Sequence, residues 1–268
     1  ALRDDQFGRR YCLESILASF AERDGDVDAG IAVRAKDLST PYSYLQIAQL
    51  CLDHGRQAQA LKWAEEGLWQ FEDRPDERLV LFAVDLYRRM DRKDDAGKLL
   101  WQTFERSPSM EVYRRLKRAA GSAAAEVRDR ALALLQSQLS APAGRAAPRW
   151  SSPRELVLEV MMSEGLLAQA WDLVHKYGCS DLLLASLAQA SEKSHPAEAL
   201  KVHAQQVERM VRLGGQDNYK AASKVIDRMR RIRAHIGENA DHAAYLADLM
   251  LRHKAKRNFM ALLQQHRP

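Results

Sequence analysis

The sequence predicts an all-α protein, a right-handed α-α superhelix of stacked helix pairs (an α-solenoid). Three observations carry that expectation. Apolar residues recur at helical spacing in paired segments joined by short turns, the pattern repeats at an offset of 36 residues from Ala48 to Val84, and no segment shows the alternation of a half-buried strand. The 268 residues are 46% hydrophobic with only 13 Gly and 8 Pro, enough apolar content for a core and too few breakers for a disordered tail.

The first unit runs from Tyr42 to Glu72, YSYLQIAQLCLDHGRQAQALKWAEEGLWQFE. Tyr44, Ile47, Ala48 and Cys51 share one helical face, the chain turns at Gly55, and Ala60, Ala64, Gly67 and Leu68 form the facing stripe. Small side chains at Ala48 and Ala60 let two antiparallel helices approach closely. In the next unit Val84, Tyr87, Asp91, Ala96, Leu100 and Thr103 take the places of Ala48, Cys51, Gly55, Ala60, Ala64 and Gly67, with Pro108 near the close. This order of large, small, turn and small residues resembles the tetratricopeptide repeat.

A degraded third unit follows, MEVYRRLKRAAG and then AAEVRDRALALLQSQL, with Ala131 and Leu135 on the inner face. Residues 140–153, SAPAGRAAPRWSSP, hold three prolines and no periodic apolar residue, so they read as a loop between a block over 1–139 and a block over 154–268, or as a loop within one continuous array. The second block continues with a pair turning at Gly165, with Ala170, Trp171 and Val174 in its second helix, and a pair turning at His195-Pro196. Two or three longer helices, separated near Gly237, complete it.

Longer segments add a second resemblance. KDLS at Lys36–Ser39, KWAEEGL at Lys62–Leu68, RSPSMEVYRRLK at Arg106–Lys117 and KRNFMALL at Lys256–Leu263 resemble the C-terminal region of bacterial SWIM zinc-finger family proteins, over nearly the whole chain. That family's zinc site uses a CxC pair followed by CxH, and neither occurs here, so no zinc-ligand role passes to any residue. The resemblance implies a C-terminal fragment, or a paralogue without the finger.

No chemistry of an enzyme stands out, and the expectation is no catalytic residue, no cofactor and no metal. Gly214-Gly215 has no downstream Gly-Lys-Ser and reads as a turn, and GxSxG, HExxH and kinase signatures are absent. Cys12, Cys51 and Cys179 are far apart and odd in number, and each reads as a small buried apolar residue. His235, His242 and His253 read as surface residues, since no two histidines stand at i,i+4. Asp94-Asp95 and Glu65-Glu66 read as turn or solvated-face carboxylates. Trp63, Trp69, Trp101 and Trp171 fall in second helices, where a ring bridges neighbouring units, and Trp150 lies in the Pro-rich loop. No apolar run approaches the roughly 20 residues that cross a bilayer, and the first residues lack a signal peptide, which reads as a cytoplasmic protein.

Two binding surfaces remain. Stacked hairpins expose the first helices of successive units, and Tyr42, Gln46, Gln49, Arg78, Asp85 and Arg88 lie off their apolar faces, a candidate groove for a protein or peptide partner. Residues 1–200 carry 27 Lys and Arg against 30 Asp and Glu, whereas 201–268 carry 14 against 6. Within that basic end, Arg230, Arg233, Arg252, Lys254, Lys256 and Arg257 form a candidate patch for nucleic acid, the alternative reading.

Overall fold

A computed structural model describes residues 26–139 and 153–264. The described residues are helical throughout and contain no strand. The chain divides into two compact units, residues 1–131 and 132–268. Of the expected loop at 140–153, residues 140–152 lie outside the described residues, as do Cys12 and Trp150, while Pro153 already opens a helix.

The first unit begins with α1 (Val27–Arg34), followed by α2 (Pro41–Asp53), α3 (Gln57–Gln70), α4 (Glu77–Arg89), α5 (Lys93–Arg106) and α6 (Met110–Ala120). Each first helix starts on a local signal. The Thr40 hydroxyl accepts from Ser43 N–H, with Pro41 at the first helical position; the Asp76 carboxylate accepts from Arg78 N–H; the Ser109 hydroxyl accepts from Val112 N–H. A 3-10 turn at Gly121–Ala123 leads into α7 (Ala124–Leu139), in which Ala131 and Leu135 are fully buried.

Small residues set the spacing of the hairpins, as the sequence predicts. Ala48, Ala60, Ala64 and Ala96 are buried, and Gly67 sits where α3 meets Tyr44 of α2 and Leu79 of α4. α2 packs on α3, α3 on α4 and α4 on α5, while α2 also touches α4 directly, so first helices of successive hairpins are neighbours. The equivalence of Gly55 and Asp91 also holds. Both adopt the left-handed region, with φ of 75° and 57°, and Asp91 is the one non-glycine to do so among the described residues.

The second unit contains α8 (Pro153–Ser163), α9 (Leu167–Tyr177), α10 (Asp181–Ala190), α11 (Pro196–Leu213), α12 (Gln216–His235), α13 (Asn239–Arg252) and α14 (Arg257–Gln264). The turns at Gly165, Gly214-Gly215 and Gly237 all use positive φ. α8 packs on α9 and also on α10, repeating the relation of neighbouring first helices seen in the first unit. Ser191 is buried, where its hydroxyl donates to Leu187 O at 2.7 Å and accepts the Trp171 indole N–H at 3.1 Å. α14 buries Phe259 and Leu263, and it rests mainly on α12, with Phe259 5.4 Å from Tyr219, rather than on the helix before it.

Several side chains depart from their sequence-based places. His242 is buried rather than on the surface, because α13 turns it inward beside Leu246 and Leu249. Cys51 is buried as expected, but Cys179, at the turn after α9, is half-exposed. Trp63, Trp101 and Trp171 are packed wholly or in part, whereas Trp69, near the end of α3, is 74% exposed. Glu65 is no mere solvated carboxylate. It accepts from the Tyr87 hydroxyl at 2.8 Å, and Arg92 lies 4.6 Å over the Tyr87 ring, tying α3 to the second hairpin.

Candidate functional site

The predicted groove residues lie on α2 and α4. Tyr42, Gln46 and Gln49 line an open cleft of about 340 Å³ together with Arg34 of α1 and Asp53 at the end of α2. They converge because residues 42, 46, 49 and 53 repeat at three and four positions, on the side of α2 opposite Ile47, Ala48 and Cys51. Gln49 donates to Asp53 at 2.7 Å, whereas Gln46 is exposed and Tyr42 is 46% exposed.

Arg78 is placed by the start of its own helix. The Asp76 carboxylate that caps α4 accepts from Arg78 Nε at 3.1 Å and Nη2 at 2.7 Å, and the guanidinium lies 5.1 Å over the Tyr42 ring. The hydrogen bond from Arg78 holds the Asp76 carboxyl below the usual carboxylate range. One α4 residue thereby links two successive first helices.

Asp85 makes the next link. Its carboxylate accepts from Arg115 Nη1 of α6 at 2.8 Å, and Arg115 Nε also donates to Glu111 at 2.9 Å. Asp85 is therefore occupied. Arg88, one turn further, is exposed and has no ion pair among the described residues. Six predicted residues thus fall on a single face shared by α2, α4 and α6: three line the cleft and Arg78 covers one of these, while Asp85 and Arg88 lie further along α4. Arg34, Asp53 and the arginines of α6 escaped the sequence reading, because α1 matches no repeat position and the third unit is degraded where the equivalence is needed.

The C-terminal cations are arranged differently. Arg252 pairs with Glu208 and with Asp248, the latter at 2.8 Å. Arg233 donates to Asp241 O at 3.1 Å and lies 5.1 Å over the Tyr245 ring, and Arg230 pairs with Asp227 at 3.5 Å. Lys256 sits 5.8 Å over Tyr219. Lys254 and Arg257 are exposed with no ion pair among the described residues. Nearby, Ala204, Arg212, Tyr245 and Arg252 line an open cleft of about 610 Å³, and burial with the charge of Glu208 pushes the Tyr245 hydroxyl up to about 12. Of the six predicted patch residues, Arg230 and Arg252 are paired with carboxylates, Arg233 and Lys256 lie over aromatic rings, and Lys254 and Arg257 are exposed. Among the described residues, no group of three or more His, Cys, Asp or Glu side chains is arranged to hold a metal, and no helix is long and apolar enough to cross a membrane.

A family model described as "Family of unknown function (DUF6880)" matches residues 3–261. The chain belongs to this family. No curated protein matches the DUF6880 chain in sequence. Among solved structures it is similar to the C-terminal part of a TPR repeat-containing protein from Cytophaga hutchinsonii, at 12% identity and TM-score 0.41 over 92% of this chain and 98% of that one. It is also similar to a tetratricopeptide repeat protein from Parabacteroides merdae, at 12% identity and TM-score 0.36 over 96% and 98% of the two chains. The TPR2AB domain of yeast Sti1, solved as a pHSP90 complex, is 11% identical over 88% and 96%, with TM-score 0.35. At these identities the likeness is one of fold.

Proposed function

We propose that this chain is a non-enzymatic scaffold that holds a protein or peptide partner on the face shared by α2, α4 and α6. The observation that carries the reading is the convergence of Tyr42, Gln46 and Gln49 on one open cleft, with Arg78 fixed over Tyr42 from the next hairpin. An aromatic ring, side-chain amides and a guanidinium on a rigid helical frame offer hydrogen bonds to a peptide backbone without ordering a loop first. Substituting Tyr42→Ala with Gln46→Glu should abolish capture of a stoichiometric partner from lysate and leave the melting temperature within a few degrees. Undiminished capture by that variant would contradict the reading.

The resemblance to SWIM zinc-finger proteins extends the proposal. The array is then the C-terminal, partner-holding part of such a protein, working in the cytoplasm, and a CxC and CxH segment encoded upstream of Ala1 is the observation to seek. An upstream reading frame without it would remove that extension and leave the scaffold reading intact.

A further inference from the structure

The far end of the same face differs from the cleft in charge. Arg88 and Arg89 close α4, and Arg114 and Arg118 lie on α6; all four are exposed, and none has an ion pair among the described residues. They are brought together by the Asp85–Arg115 bridge, since Arg88 and Arg89 stand one turn beyond Asp85, and Arg118 one turn beyond Arg115. The carboxylates within reach are already used, because Asp85 and Glu111 both accept from Arg115. Arg88, Arg89 and Arg118, one turn beyond the bridge, and Arg114 beside Arg115 give this end of the face an excess of positive charge that an incoming anion relieves.

We propose that this arginine cluster recognises an acidic segment of the partner, an inference that rests on the scaffold reading above. Two features point to a peptide rather than to nucleic acid. Asp85 and Glu111, bridged by Arg115, interrupt the positive surface between the free arginines, so a phosphate backbone of fixed charge spacing matches it poorly, whereas a peptide can space its carboxylates to suit. The cluster also continues along α4 from Arg78 and Tyr42, so one extended chain can place acidic residues on the arginines and its backbone on the amides of Gln46 and Gln49. Guanidinium and carboxylate pair through two parallel hydrogen bonds, which gives such a contact direction as well as charge.

The test uses the full chain and fluorescence anisotropy with three labelled probes, an alternating Glu-Ala peptide, its Gln-Ala counterpart and a single-stranded oligonucleotide, at about 50 and about 300 mM NaCl. The expected result is binding of the Glu-Ala peptide that weakens with salt, exceeds both other probes, and falls at least about tenfold in Arg88→Glu with Arg118→Glu. Lys254→Glu with Arg257→Glu should leave it unchanged, and Arg88→Gln with Arg118→Gln should give an intermediate loss. Tighter binding of the oligonucleotide, equal binding of the Gln-Ala peptide, or loss only in the Lys254 and Arg257 variant would each overturn the proposal. Failure here with partner capture still sensitive to Tyr42 and Gln46 removes the acidic specificity alone; insensitivity to both sets removes the scaffold reading as well.

Discussion

Gly67 of α3 and Tyr44 of α2 approach so closely that a Cβ on Gly67 would lie 2.6 Å from the Tyr44 Cβ and 2.9 Å from Leu79 Cδ2. The two helices can cross there only without a side chain. Gly67→Ala should therefore destabilise the first unit by about 1–3 kcal/mol through overpacking, against a helix-propensity gain of about 1 kcal/mol. Chemical denaturation with a fitted midpoint measures it, and a more stable variant would show that the hairpin tolerates a wider crossing.

The turns of the first two hairpins yield a paired prediction. Gly55 and Asp91 occupy equivalent left-handed positions, but only Gly55 does so without a Cβ penalty. Asp91→Gly should raise the melting temperature, since its ion pair with Lys93 is fully exposed and contributes little. Gly55→Ala should lower stability by about 1 kcal/mol. A lowered midpoint for Asp91→Gly, or an unchanged one for Gly55→Ala, in differential scanning calorimetry would refute the equivalence.

Tyr87 supplies a pH test. Burial, and then its hydrogen bond to Glu65, push the Tyr87 hydroxyl up to about 12 from an ordinary value near 10. Its folded-state pKa lies above the unfolded one, so the native state retains the proton longer. The corresponding stability is complete below pH 10 and is lost as pH rises from about 10 through 12. Ultraviolet titration should show tyrosines ionising late, and Tyr87→Phe should remove one of them. A titration unaltered by that substitution would place the late group elsewhere.

In the second unit, Ser191 satisfies the buried Trp171 indole. Ser191→Ala leaves that N–H without its acceptor and should cost about 1–3 kcal/mol, measured by denaturant unfolding. Ser191→Thr keeps the acceptor and should lose less than Ser191→Ala; a neutral Ser191→Ala would indicate that water replaces the hydroxyl.

Local periodicity and spacing made the hairpins legible in the sequence. Ala60, Ala64, Ala96 and the turn at Asp91 follow from one 36-residue offset, because close helix crossings and left-handed turns constrain residue type at fixed positions. Burial of His242 and exposure of Trp69 were not legible, since each depends on which side of its helix the next element covers, and composition carries no such information. The groove was half legible. Residues on α2 and α4 follow from the repeat register, but the pairing of Asp85 with Arg115 requires knowing that α6 stands beside α4. The basic C-terminal end was legible as charge but not as pairing: the bridge from Arg252 to Glu208 joins residues 44 positions apart.

The central claim is that the partner sits on the face of α2, α4 and α6. Site-specific photo-crosslinking tests it most directly, with a benzophenone amino acid at Gln46 in one protein and at the exposed Trp69 of α3 in another. The account predicts a defined crosslinked protein from Gln46, diminished by Arg88→Glu with Arg118→Glu, and none from Trp69. A partner crosslinked from Trp69 and absent from Gln46 would contradict it.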